Sequence, residues 1–171
     1  LANRHPRINM LQPGPGVGGH CIAVDPWFIV SKTPQEAQLI HTARKVNDAK
    51  PQWVINKVKL AISDFLQANP TKTAKDVTVA CYGLAFKPDI DDLRESPALN
   101  ITKQIADLHS GTVIAVEPNI NKLPSSISTF NLSTFESAKE NADVHLLLVD
   151  HKGFKNTKLN VKHLIDTKGI W

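Results

Sequence analysis

A chain of 171 residues, 42% hydrophobic and 21% charged, has room for one good core, or for one domain and part of a second. Its 20 basic and 16 acidic residues leave a formal charge of +4, and Lys and Arg never gather into a run of five, which argues against a nucleic-acid partner. No apolar run approaches the roughly 18 residues of a membrane span, and two cysteines are too few for a secreted disulfide scaffold, so the expected compartment is the cytoplasm.

The first residues, Leu1-Ala2-Asn3-Arg4-His5-Pro6, offer neither an initiating Met nor a signal-peptide apolar region, and read as the interior of something longer. Residues 1–33 are loop-like and rich in Pro and Gly, with one extended apolar piece, Trp27–Val30. Thr33-Pro34-Gln35-Glu36 predicts a capping box with Pro at the first helical position. The helix it opens carries a stripe of Ala37, Ile40, Ala43 and Val46 or Ala49. Pro51 is expected to restart or kink it, and Val54, Val58, Ala61, Ile62 and Phe65 continue the stripe to Asn69-Pro70. Such a stripe beside a small domain would lie open to water, which predicts a helical arm that dimerises.

Beyond Pro70 the pattern changes. Val77–Tyr82 predicts a strand buried on both faces, with Cys81 a small buried hydrophobe. Ser96-Pro97 opens a helix through Ile101, Ile105 and Leu108 that ends at Gly111, and Thr112–Val116 is a second strand. Ser133-Thr134-Phe135-Glu136 predicts a capping box for a short helix to about Asn141. Val144–Val149 is a third buried strand, and His163–Asp166 a fourth. The fold class is α/β: a long helical arm, then a Rossmann-like three-layer domain with a parallel sheet.

Gly14-Pro15-Gly16-Val17-Gly18-Gly19 spells G-x-G-x-x-G, yet the context is wrong for a dinucleotide fingerprint, which follows a buried strand and opens a helix. Here the preceding Arg7–Pro13 is short and polar, and Pro15 removes a backbone donor. The following Ile22–Pro26 is β-branched, broken by Pro and a poor helix. A plain surface loop is one reading, although four glycines in six residues are entropically costly. The other is a loop whose N–H groups approach a ligand or an oxyanion, with Cys21 as nucleophile and Asp25 orienting a water. Adjacent His20 and Cys21 rarely converge on one ion, so no metal is expected. A thiol hydrolase is a weaker rival: its base would need positioning, and His20 is too close in sequence while His41 sits on a helix.

The second constellation is Gly83–Pro97, G-L-A-F-K-P-D-I-D-D-L-R-E-S-P, between the first strand and its helix. Ligands of open parallel sheets bind there, and Lys87 and Arg94 offer partners for phosphate or carboxylate beside Phe86 as an apolar wall. Alone, this is equally a solvated charge-rich loop. Together, the two motifs resemble the UDP-sugar 6-dehydrogenase family, with residues 3 to about 120 carrying the likeness. His5-Pro6-Arg7 and G-P-G-V-G-G-H-C-I-A-V-D-P-W are more similar to the branch acting on UDP-N-acetylmannosamine than to the UDP-glucose branch. The latter has Ser, Tyr or a similar residue before the Cys and Lys before the Asp, where this chain has His20 and Val24.

The resemblance implies a two-step, NAD-dependent oxidation of a sugar C6 alcohol to a carboxylate, supplying cell-surface polysaccharide precursors. Cys21 would capture the intermediate aldehyde as a thiohemiacetal, a second hydride loss would give a thioester, and water assisted by Asp25 would hydrolyse it. The resemblance likewise implies that Gly18, Phe86 and Lys87 hold the UDP-sugar, and that Arg94 touches the cofactor. His5 and Arg7 would reach the substrate, across a homodimer built on the central helix. The family's N-terminal NAD-binding Rossmann domain, and its catalytic Lys and Asn before the central helix, have no counterpart here. The chain therefore reads as a C-terminal fragment: 1–70 the end of a central dimerisation region, 71–171 a UDP-sugar-binding domain. A fragment serving only as a nucleotide-sugar binding and dimerisation module is the alternative.

Overall fold

A computed structural model gives the fold, describing residues 4–8, 12–157 and 159–171. Asn9–Leu11, part of the segment before the glycine loop, lie outside the described residues. Five strands form one sheet: β1 (Thr78–Tyr82), β2 (Thr112–Val116), β3 (Asn131–Leu132), β4 (Val144–Leu147) and β5 (Leu164–Asp166). Their order is β3-β2-β1-β4-β5, and every neighbouring pair is parallel. The helices are α1 (Asp25–Lys32), α2 (Gln38–Ala68), α3 (Pro97–Leu108), α4 (Phe135–Asn141) and α5 (Lys152–Lys155).

The three layers follow from the alternation of side chains along a strand. On β1, Val79 and Cys81 face a core completed by Val54, Ile55 and Val58 of α2 and by Ile101 and Ile105 of α3. Ala80 and Tyr82 face the other core, with Ala138 of α4, Phe154 of α5 and Trp171. Burial pushes the Cys81 thiol up to about 12, against a hydrogen bond with Thr102, so it behaves as an inert apolar side chain. The expected parallel three-layer domain is therefore present. Reading the sequence missed β3 and α5, whose two and four residues carry no periodic pattern.

Four local expectations need correction. Trp27–Val30 is not extended; it lies in α1, where Pro26 occupies the first turn and Asp25 supplies an acidic group at the positive end of the helix dipole. Val30 is buried, and the Trp27 ring meets His41 of α2 edge-on at 5.6 Å, so tertiary contact overrides β-propensity. The Thr33 capping box does not form: Thr33 is the C-cap of α1, and α2 begins at Gln38 with no side-chain cap. In α4 the cap is Thr134, accepting from the Ser137 amide at 3.2 Å, one residue past the expected Ser133.

Pro51 neither restarts nor visibly divides α2, which runs as one 31-residue helix through it. An interior Pro costs roughly 3 kcal/mol, and complete burial of Val54, Ile55 and Val58 just beyond it offsets that cost. This burial also overturns the reason given for a dimerising stripe. Val54 and Val58 are buried, and Ala61, Ile62 and Phe65 partly buried, against the chain's own sheet and α3. The outward line of α2 is different: Leu39 is 82% exposed, Val46 69%, Trp53 48% and Leu60 59%, seven residues apart.

Ile55→Ala empties a fully enclosed position and is expected to cost about 2–5 kcal/mol in chemical denaturation. Val46→Ala, measured at concentrations where the chain is monomeric, should change stability by no more than about 0.5 kcal/mol. Equal costs would show that α2 buries the wrong face.

Candidate functional site

The strand order reverses at β1, with β2 on one side and β4 on the other, and connections leave in opposite directions from that point. A crevice opens there, outside the carboxyl ends of the strands. It is a cleft of about 310 Å³. Ala85–Pro88 following β1 and Leu148–Asp150 following β4 form its sheet side, while Gly14–Gly18 and Ile22 form the opposite wall.

The loop after β1 is held at several points. The Phe86 amide donates to the Asp92 carbonyl at 3.1 Å, closing a turn. Ser96 caps α3, accepting from the Leu99 amide at 3.2 Å, and its hydroxyl donates to the Leu84 carbonyl at 2.6 Å. One side chain thus ties the start of the helix to the end of the strand. Lys87 projects from this frame, exposed, its Nζ 5.5 Å from the Phe86 ring centroid.

The glycine loop is built to dock on that frame. The Val17 amide donates to Asn47 Oδ1 on α2 at 3.1 Å. Pro51 has no N–H to give the Asn47 carbonyl, and that carbonyl faces Gly16. A Cβ on Gly18 would collide with the Glu95 carbonyl oxygen and lie 2.6 Å from Pro97 Cδ. Gly19 has φ +86, and a Cβ there would lie 3.0 Å from the Phe86 ring. These two glycines permit close approach of two loops. The helix that does follow, α1, starts only at Asp25, its first turns closed by the Cys21 carbonyl accepting from the Val24 and Asp25 amides.

The structure thus brings Gly18, Phe86 and Lys87 together in one cleft. Cys21 is exposed, in a turn between two lining residues, Gly18 and Ile22, at the rim of the cleft. Asp25 is exposed in the first turn of α1, one helical turn further on. His5 and Arg7 are exposed and do not line the cleft; the Arg7 amide donates to His5 Nδ1 at 3.3 Å. Arg94 also stands outside the lining, in a fork-like pair with Asp92: Nε to both carboxylate oxygens at 3.0 Å and Nη2 to Oδ2 at 2.6 Å. The Arg94 side-chain and backbone hydrogen bonds pull the Asp92 carboxyl down to about 2.

Sequence reading missed Lys168 and Asp150. Lys168 reaches across to the glycine loop, its Nζ 3.1 Å from the Pro13 carbonyl oxygen and 3.3 Å from Asp150 Oδ1. Its loop is folded around Asp166, whose carboxylate accepts from the amides of Lys168, Gly169, Ile170 and Trp171 at 2.7–2.9 Å. Burial would raise the Asp150 carboxyl, but Lys168 and its other partners outweigh that and hold it below its usual range. The only local signal was an Asp three residues before a Gly at a strand end. Also missed was a buried pair beneath the loop, Glu117 and His151, with Glu117 Oε2 3.1 Å from His151 Nε2.

Among the described residues no helix is long and apolar enough to cross a membrane. Residues 80–171 match the UDP-binding domain of the UDP-glucose/GDP-mannose dehydrogenase family, and residues 1–49 match its central domain. Over its whole length the chain is 58% identical to a UDP-N-acetyl-D-mannosamine dehydrogenase of Yersinia pestis, covering 41% of that protein. It is 51% identical to an NDP-N-acetyl-D-galactosaminuronic acid dehydrogenase of Ralstonia solanacearum, covering 39% of it. Among solved structures, a UDP-N-acetyl-mannosamine dehydrogenase from Staphylococcus aureus superposes on 99% of the chain with a TM-score of 0.72 and 36% identity, using 38% of its own length. The chain thus spans about two fifths of these relatives. Since the UDP-binding domain alone accounts for more than half of its residues, the chain belongs to the UDP-glucose/GDP-mannose dehydrogenase family.

Proposed function

We propose that this chain is the substrate-holding, nucleophile-bearing part of a UDP-N-acetylmannosamine dehydrogenase in the cytoplasm. The enzyme would oxidise UDP-ManNAc at C6 to UDP-ManNAcA for cell-surface polysaccharide synthesis. Residues 1–70 are assigned to the end of the central region and 71–171 to the UDP-sugar-binding domain. The observation that carries this reading is the cleft at the sheet's reversal point, which joins Gly18, Phe86 and Lys87 and leaves Cys21 at its rim. Identity to the mannosamine-type relative exceeds that to the galactosaminuronic-type one, which favours the substrate chosen.

In the cleft Lys87 meets the diphosphate and Phe86 backs the nucleotide-sugar, with the loop carrying Gly18 closing over it. Cys21 adds to the C6 aldehyde: its sulfur bonds to carbon and the thiol proton passes to the new hydroxyl. Asp25, at the N-terminus of α1, orients the water that later hydrolyses the thioester. His5 and Arg7 are assigned to the substrate bound by a second copy. NAD⁺ is the hydride acceptor this reading requires. Yet the space at Gly18 and Gly19 is filled by Glu95, Pro97 and Phe86, and the Arg94 fork is occupied by Asp92. The glycine loop therefore builds no dinucleotide cradle. Arg94 is assigned to the cofactor through the guanidinium N–H groups that Asp92 does not take.

The homodimer is assigned to the outward line of α2: Leu39, Val46, Trp53 and Leu60. A seven-residue spacing of large apolar groups keeps one seam facing a partner helix. Lys50 and Lys57 lie over the Trp53 ring, 3.7 and 5.3 Å from its centroid, and their stems flank that seam.

Calorimetric titration of the chain with UDP should give binding that Lys87→Ala weakens roughly ten- to a hundredfold, the worth of one charge-assisted hydrogen bond. Arg94→Ala should leave it unchanged. Absence of UDP binding would overturn the reading. With a UDP-sugar 6-aldehyde labelled at C6 with ¹³C, wild type should show a thiohemiacetal resonance that Cys21→Ala lacks; its persistence in that variant would remove Cys21 as the nucleophile. In sedimentation, Val46→Glu combined with Leu60→Glu should convert a dimer to a monomer without lowering the melting temperature. An unchanged dimer would place the interface elsewhere.

A further inference from the structure

Glu117 follows β2 directly and is turned beneath the loop that carries Phe86 and Lys87, with no exposed side-chain surface. Its Oε2 accepts from the Leu84 amide at 2.7 Å, the Ala85 amide at 3.1 Å and His151 Nε2 at 3.1 Å. Its Oε1 accepts from the Asn119 amide at 3.1 Å. Burial alone would raise the Glu117 carboxyl; the bonds from His151 and from the Leu84 and Asn119 amides outweigh it and hold the group below its usual range.

His151, also buried, continues the chain of contacts. The Asp89 amide points at its Nδ1 from 2.9 Å, and an amide only donates, so Nδ1 is an acceptor and the ring proton sits on Nε2, facing Glu117. Asn119 Nδ2 donates to the same Nδ1 at 3.0 Å. Asp89 itself has φ 59, a left-handed conformation uncommon outside glycine. It is held there by His151 and by its own Oδ1, which accepts from the Lys152 amide at 2.9 Å. Residues 86–88 are thereby suspended between two fixed points, Ala85 and Asp89. Apolar side chains would fill the space under the loop at less desolvation cost. They would leave the amides of Leu84, Ala85 and Asp89 without these acceptors.

We propose that Glu117 and His151 are positioning residues for nucleotide-sugar binding: a buried carboxylate–imidazole clamp that fixes both ends of residues 84–89 and so sets where Phe86 and Lys87 stand. Neither lines the cleft, so both act through the loop. The proposal rests on the reading of the cleft as the UDP-sugar site.

The test is UDP calorimetry on Glu117→Gln, which keeps the shape and removes the charge, on His151→Phe, and on each combined with Lys87→Ala. Each single variant is expected to weaken UDP by roughly tenfold. In either background the further loss from Lys87→Ala should shrink to less than about threefold, because a misplaced ammonium has little left to lose. Unchanged affinity, or losses that simply multiply, would overturn the clamp even where melting temperatures fall. Amide hydrogen exchange gives a readout independent of ligand: Leu84, Ala85 and Asp89 should exchange faster in Glu117→Gln, with Val79–Cys81 unaffected. If wild type bound no UDP, the nucleotide reading would fall, and unchanged exchange at those three amides would separately dismiss the clamp. Should Glu117→Gln fail to fold, His151→Phe, which removes the acceptor of the Asp89 amide and one donor to Glu117, carries both measurements, with Asp89 the amide expected to exchange faster.

Discussion

Burial of the central strand on both faces is the constraint from which the rest follows. β1 has parallel neighbours on either side and a packed layer above and below. Its backbone groups are spent on the ladders and its side chains on two cores, so only its carboxyl end is available to chemistry. The connections leaving β1 and its neighbour β4 run in opposite directions, to β2 and to β5. The cleft is the gap this geometry cannot close. Its borders are irregular loops, largely apolar in side chain, whose amides no strand pairs and which must find other acceptors.

Those amides are satisfied from below by side chains of the neighbouring strands' ends, Glu117 after β2 and His151 after β4. The Phe86 and Lys87 side chains are thereby left at the cleft side of the loop. The same division governs Lys168, whose loop is organised by Asp166 while its ammonium bridges to the glycine loop and Asp150. In both loops a carboxylate outside the cleft lining orders the backbone from which a cationic side chain projects. Charge-assisted bonds to backbone N–H groups are stiff and directional, which suits them to holding irregular chain in place.

α2 joins the two ends of the molecule by having two different faces. Its inner face completes the core against β1 and α3, while nearer its start Asn47 anchors the glycine loop. Its outer face is apolar at every seventh residue and, among the described residues, largely exposed. One rigid element thus sets the position of the loop carrying Cys21 relative to the sheet carrying Lys87. Any partner gripping the outer seam would bear on the geometry of the cleft.

The sequence by itself determined the parts whose signal is local. Runs such as Val77–Tyr82 and Val144–Val149 can be satisfied only by two-sided burial, and Ser96-Pro97 is a helix start in almost any surroundings. The resemblance carried by the glycine loop and the Gly83–Pro97 segment, which pointed to a family and to named residues, was also written in the order of residues. Tertiary structure decided what depends on partners distant in the chain. Trp27–Val30 is helical because His41 and the α2 face lie across from it. Pro51 is absorbed because the residues after it are wholly enclosed. Gly18 and Gly19 serve the approach of Glu95, Pro97 and Phe86, residues some 70 to 80 positions away, so no reading of the loop alone could say what the glycines were for. Glu117 and His151 carried no pattern, and Lys168 only the spacing of Asp166 and Gly169, since their contacts join strand ends that only the folded sheet brings side by side.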